Sequence, residues 1–274
     1  MPTTPAKNLL YRAALPILAP HSRGQMTHHI SGHPLTTLPN YERILAKHHV
    51  FGASLLLQDG ANCALCDTST AKPEHLAQEN TLYRVASITK MATALVTLRC
   101  IDNGLFSLDS EAASLLPDGE KTPALSGVTV RHLLCHTSGL RDLPMLDSCL
   151  KEGKPYTELL RQPEIRACAP GQQLIYSNFG FGLLGCILEQ QTGLCIEPLF
   201  QEMLFRPLHM RATLDASTLN EVEIMPITRV LPYRAGRELR VTALGRHPLQ
   251  KPNPLCHYGH TAGAMYTDGR SVLQ

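Results

Sequence analysis

The stretch from Thr81 to Gly104 changes character once, and at the point of change it carries a serine and a lysine three residues apart. Thr81-Leu82-Tyr83-Arg84-Val85 is β-prone. Beyond it Ile88, Met91, Ala92, Leu95, Val96, Leu98 and Ile101 recur at helical spacing, and Asn103-Gly104 is a stop signal. The pattern predicts a strand leading into a long buried helix that starts near Ala86, with Ser87 in its first turn. Ser87 and Lys90, three residues apart, share one face of that helix. A serine hydroxyl needs a neighbouring base to take its proton as it attacks. A lysine serves once burial and the positive end of a helix dipole favour its neutral form. The free N–H groups of a first turn can also hold an oxyanion. Four letters of this kind recur by chance in many chains, so the flanking pattern carries the argument.

Composition narrows the classes. The chain has 274 residues, 43% apolar and 18% charged, enough to bury a core for one large domain or two small ones. A net charge of +2 gives no electrostatic footprint for nucleic acid. No segment approaches the roughly 20 apolar residues of a membrane span. The apolar run from Leu9 to Ala19 is broken by Arg12 and Pro16, so no signal peptide is expected. Nine cysteines without an export signal are expected to be reduced thiols, and the compartment cytoplasmic. Cys63-Ala64-Leu65-Cys66 has no second ligand pair and reads as strand-borne. The thirteen histidines show no helical ligand spacing; His28-His29 and His48-His49 read as surface residues. No metal and no cofactor are expected.

Residues 1–38 are punctuated by prolines and are expected to be irregular. Asn40 to His48 suits a short amphipathic helix using Tyr41, Ile44 and Leu45. Gly52 to Gln58 reads as a strand, Asp59-Gly60 as a hairpin turn, and Asn62 to Thr70 as the returning strand. Residues 39–274 are expected to form one domain, its part from 86 onward mostly helical, with no convincing strand from Val130 to about residue 210.

Two later segments bear on function. In Val130-Arg131-His132-Leu133-Leu134-Cys135-His136-Thr137-Ser138-Gly139-Leu140, Thr129 suits a helix cap and Gly139 a stop. The spacing of His136 and Ser138 suits polar groups at a helix end better than a catalytic pair. In the segment from Pro170 to Glu189, Pro170-Gly171 makes a turn. Tyr176-Ser177-Asn178 then forms a loop before a helix running to Gly193. Gly182 and Gly185 favour close packing of that helix. A tyrosine becomes a base only where cations lower its pKa from about 10, and Lys90 is the candidate cation.

Together these segments resemble the serine β-lactamase and penicillin-binding superfamily, in the branch of class C β-lactamases, D-alanyl-D-alanine carboxypeptidases, D-aminopeptidases and esterases. Leu82–Lys90 resembles its nucleophile motif, and Leu133–Leu140 its L-L-x-H-T-S-G-L segment. Pro170-Gly171 through Tyr176-Ser177-Asn178 is similar to its P-G-x(4)-Y-S-N segment. Pro207-Leu208-His209-Met210 is similar to its P-L-G-M, with His209 in place of glycine. The resemblance implies Ser87 as the acylated nucleophile, with its N–H as half of an oxyanion hole. It implies Lys90 and Tyr176 in proton transfer, and Asn178 as hydrogen-bond partner of Lys90 or of a substrate amide. It implies an α/β (α+β) architecture: an antiparallel sheet flanked by helices, with an inserted all-helical region. The implied activity is hydrolysis of an amide or ester, in a β-lactam, D-amino peptide or short ester, through an acyl-enzyme; a small-molecule or peptide is the implied partner. The alternative is a truncated, non-catalytic relative.

The family's third motif, K-T-G or H-x-G on a C-terminal strand, has no clear counterpart. Lys121-Thr122-Pro123 precedes Tyr176 and lacks the glycine. His257-Tyr258-Gly259 fits H-x-G by letter, and His260 lies beside it. Thr261–Asp268 resembles instead the family's A-G-G-L-x-S-T-x-x-D segment, which precedes the third motif. On that reading the chain is expected to stop before the third motif, and its hairpin to lack the C-terminal strands of the sheet.

Overall fold

The structure, a computed structural model, describes residues 27–32, 44–45, 50, 52–59, 62–69, 80–225, 227–229, 237–239, 249 and 252–273. They divide into two compact units, one drawn from 1–83, 219–242 and 268–273, the other from 84–218 and 243–267.

In the first unit, strands β1 (Thr27–Gly32), β2 (Gly52–Asp59) and β3 (Asn62–Ser69) form an antiparallel sheet of order β1-β3-β2. The expected hairpin is present, with Asp59 opposite Asn62 and Leu56 opposite Leu65. Cys63 and Cys66 lie on β3. The expectation of an irregular 1–38 fails at β1, which pairs along the other edge of β3 from Thr27↔Ser69 to Gly32↔Ala64. Thr27-His28-His29-Ile30-Ser31-Gly32 has no apolar alternation to announce a strand. An open edge of unpaired N–H and C=O groups recruits backbone whatever its side chains, so the hairpin is not alone. Of the helix expected from Asn40 to His48, Ile44 and Leu45 are helical, and the remainder, Tyr41 included, lies outside the described residues. Leu82 exchanges backbone hydrogen bonds with Glu223 and Met225.

The second unit is mostly helical. After β4 (Tyr83–Arg84), helix α1 spans Thr89–Asp102 behind a single 3-10 turn, Ala86–Ile88. Short helices follow: α2 (Ala112–Leu115), α3 (Val130–Leu134), α4 (Leu146–Glu152) and α5 (Thr157–Leu160). Helix α6 (Asn178–Thr192) is the longest among the described residues, and α7 (Ile196–Phe200) runs on into a π-helical turn, Gln201–Phe205. Strand β5 (Ala212–Thr213) pairs antiparallel with β8 (Tyr266–Thr267), which follows α8 (His260–Gly263). The hairpin of β6 (Ile227–Arg229) and β7 (Arg237–Leu239), which lies between β5 and β8 in sequence, belongs to the first unit. No single helix among the described residues is long and apolar enough to cross a membrane.

Helix α6 is buried from Phe179 to Glu189 and forms the spine of this core, with α1, α3 and α8 packed on it. Its glycines permit the approach of α8. A Cβ on Gly182 would collide with the Tyr258 carbonyl, and one on Gly185 would lie 2.5 Å from Thr261 Oγ1. Cys100 and Cys195 are buried thiols in this core, and burial pushes both up to about 11.

Helix α1 departs from the expected pattern. Its buried face is Thr89, Lys90, Ala92, Thr93, Val96, Thr97 and Cys100, whereas Ile88, Met91, Leu95 and Leu98 are exposed. The polar residues are buried because each finds a partner. Thr93 Oγ1 donates to the Thr261 carbonyl at 2.8 Å, and Thr89 Oγ1 donates to the Ala86 carbonyl and accepts from Met265 N. A threonine satisfied in this way can be buried beside close backbone.

Candidate active site

Ser87 stands in the 3-10 turn that precedes α1, and Ala86 before it holds a left-handed φ of 47°. That conformation costs a non-glycine residue about 1–3 kcal/mol and persists where the surroundings over-determine it. Here Val85 N donates to the Met265 carbonyl, and Arg84 Nε to the Gly263 carbonyl, pinning the chain on its approach.

The turn presents Ser87 Oγ to two groups. It accepts from Tyr176 Oη at 2.6 Å and from Lys90 Nζ at 3.2 Å. Lys90 is buried, and its Nζ donates also to Asn178 Oδ1 at 2.8 Å and to the Ala262 carbonyl at 2.7 Å. Three acceptors match the three protons of an ammonium. The four residues singled out from the sequence, Ser87, Lys90, Tyr176 and Asn178, thus lie in one hydrogen-bonded cluster.

Tyr176 is half exposed, with Lys90 Nζ 4.9 Å from its ring centroid. Burial alone would raise its phenol, but hydrogen bonding to Lys90 and Ser87, with the Lys90 charge, outweighs this and brings it below the ordinary value. The phenolate is therefore easier to form here than on a free tyrosine.

Two further groups hold the Tyr176 loop. His136 Nδ1 accepts from Ser177 N at 3.1 Å, and its backbone carbonyl accepts from Ile175 N at 2.7 Å. Its ring packs 4.4 Å from that of Tyr176 and 4.9 Å from that of Phe181. Burial and the Lys90 charge lower its pKa, against a smaller upward pull from Asp142, which keeps Nδ1 an acceptor. His136 also adopts φ 57°. The reading of it as a helix-end group holds for its backbone, whose N–H donates to the Leu133 carbonyl at the end of α3, and the ring adds the role of loop anchor; Ser138 Oγ serves locally, accepting from Leu140 N. The second group is Asp142, whose carboxylate accepts from Ser177 Oγ, Asn178 N, Asn178 Nδ2 and Phe179 N. Its signal is faint: it follows the Leu133–Leu140 segment by two residues, and no spacing rule ties it to Asn178.

His257 is placed elsewhere. Its Nδ1 lies 2.6 Å from Oε1 of the buried Glu189, which also accepts from Ile196 N and, through Oε2, from Asn253 N. The H-x-G letters therefore do not bring His257 to Ser87; it is Ala262, in the segment Thr261–Asp268, that reaches Lys90. Glu189, Cys195 and His257 carry potential ligand atoms within 4.8 Å of one another. The carboxylate is already occupied by two backbone N–H groups and the imidazole, so the group reads as a clamp holding residues 253–257 on α6. His209, in the P-L-G-M-like segment, has φ 51°, the backbone that glycine adopts freely.

Comparison with known proteins accords with this geometry. Over 157 residues the chain is 32% identical to monacolin J acid methylbutanoyltransferase of Aspergillus terreus, covering 48% of this chain and 37% of that one. It is 28% identical over 174 residues to the D-alanyl-D-alanine-carboxypeptidase/endopeptidase AmpH of Escherichia coli, covering 59% of this chain and 44% of AmpH. It thus spans less than half the length of either. A class C β-lactamase structure superposes with a TM-score of 0.66 at 19% identity, over 85% of this chain and 60% of the other, and so shares the fold. The β-lactamase family model matches residues 40–265, and the chain belongs to the β-lactamase family.

Proposed function

We propose that this protein is a serine hydrolase that cleaves an amide or ester through an acyl-enzyme on Ser87. The observation that carries the reading is the position of Ser87 Oγ, 2.6 Å from Tyr176 Oη and 3.2 Å from Lys90 Nζ. With Tyr176 as phenolate, the Ser87 hydroxyl donates to it. As Oγ attacks the carbonyl carbon, its proton passes to Tyr176. Collapse of the tetrahedral intermediate breaks the bond to the amine or alcohol, which leaves with that proton. Water then attacks the acyl-enzyme, gives a proton to Tyr176, and the acid departs as the proton returns to Ser87. Lys90 donates to Ser87 Oγ and to Asn178 Oδ1 beside this exchange, and the N–H of Ser87, at the start of a helical turn, is the donor offered to the developing oxyanion.

The relatives named above act as an acyltransferase and as a carboxypeptidase, which supports acyl chemistry on a small molecule or a D-amino peptide. The test is covalent labelling of the purified chain by a fluorescent penicillin and by a fluorophosphonate. The expected result is a label on the Ser87 peptide that Ser87→Ala abolishes. Absence of label from both probes overturns the proposal. A thermal shift with a D-alanyl-D-alanine peptide in that case would favour a non-catalytic binder.

A further inference from the structure

We propose that Asp142 is a positioning residue that fixes the amide orientation of Asn178 and, through it, the seat of Lys90. The four donors that Asp142 receives divide evenly between its oxygens. Oδ1 accepts from Ser177 Oγ at 3.2 Å and from Phe179 N at 2.9 Å; Oδ2 accepts from Asn178 N at 3.1 Å and from Asn178 Nδ2 at 2.7 Å. The carboxylate thus sits on the first turn of the fifteen-residue α6, where negative charge is favoured.

The amide of Asn178 has two unlike ends. Its Nδ2 faces Asp142, and its Oδ1 faces Lys90 Nζ. Turning the amide over would set an NH2 against an ammonium and a carbonyl oxygen against a carboxylate, so both contacts would become repulsive. A carboxylate, which only accepts, enforces one orientation; an amide at 142 has a donor end and does not. Asp142 is itself placed by its neighbours, since Arg141 N donates to the Ile165 carbonyl and Leu140 bridges to Arg166. The charge has a second effect, because Asp142 opposes the lowering of Tyr176.

This inference rests on Ser87 being the acylated residue, and its test has an arm that does not. In the first arm, labelling rates of the full chain are measured from pH 5 to 10 for wild type, Asp142→Asn, Asn178→Ala and the double variant. Asp142→Asn is expected to slow labelling about 10- to 100-fold, the scale of a small misplacement of a reacting group. Its pH profile is expected to move toward acid as the anion beside Tyr176 is lost. In the Asn178→Ala background Asp142→Asn is expected to add little. Multiplicative losses, or an unchanged rate in Asp142→Asn, overturn the proposal. Should Asp142→Asn fail to fold, Asp142→Glu keeps the charge and is expected to give intermediate rates with the wild-type profile. In the second arm, NMR follows the side-chain amide of Asn178. The downfield position of its Asp142-bonded proton is expected to be lost in Asp142→Asn; an unmoved resonance overturns the proposal. A wild type that takes no label sinks the acyl-enzyme reading alone and leaves this arm to decide the role of Asp142.

Discussion

At Lys90 the three donors of one side chain join three parts of the chain: the serine turn, the first residue of α6, and the carbonyl that precedes the end of α8. Against the effect of burial, its hydrogen bond and that of Ser87, with its charge, bring the Tyr176 phenol below its ordinary value. If the phenolate is the base, acylation is slow below that pKa and rises with pH through it. Tyr176→Phe is then expected to cut the acylation rate about 10²- to 10⁴-fold, the usual share of a general base. Lys90→Met removes the cation, so the phenol ionises at higher pH and the rising limb should shift toward alkali. Stopped-flow labelling across pH checks both, and an unshifted limb in Lys90→Met counts against the cation's role. Ser87, Lys90, Tyr176 and Asn178 were legible because each belongs to a short motif with a chemical purpose. Asp142 was not, and of His136 only the helix-end place was, because holding another loop is work done on a partner 36 or 41 residues away, which leaves no local mark.

At the level of elements, α1 shows how a period can be read while a face is misread. Its helical spacing and its stop at Asn103-Gly104 are as expected, yet the largest apolar side chains point outward. Hydrophobicity ranks Leu95 above Thr93, but burial also depends on what packs opposite. Here that is the backbone of residues 261–265, which offers a carbonyl to Thr93 and an N–H to Thr89. The seam of α6 with α8 was better foreseen, since Gly182 and Gly185 announced a close approach. Gly185→Val would drive its side chain into Thr261. It is expected to destabilise the protein by about 1–3 kcal/mol, as overpacking does, seen as a lower midpoint in urea. A midpoint equal to wild type would show that the seam yields. His209 carries the same lesson: the P-L-G-M comparison marked a glycine position, and the structure keeps glycine-like backbone there although the residue has changed.

On the scale of the whole molecule, the resemblance extends over most of the chain, and the family match from 40 to 265 accords with it. The departure at β1 came from an element whose partner was evident and whose own sequence was not. The apolar stripe of Ile88, Met91, Leu95 and Leu98 is exposed, and Met91 is the most open of the four, at 67%. Contiguous exposed apolar surface favours association. Replacing Met91 and Leu95 with lysine is expected to change folding stability by no more than about 0.5 kcal/mol per site and to reduce self-association in sedimentation velocity. A large loss of stability would show that the stripe is covered in solution. The route from Lys90 to Asn178, along α6 to Glu189, across to His257 and on through Ala262 returns to Lys90. Its long side, from Asn178 to Glu189, is a helical rod of about 16 Å. This is a closed linkage in which each joint holds the others, so Lys90 is seated by a ring of contacts and a joint loosened at His257 is felt at Lys90.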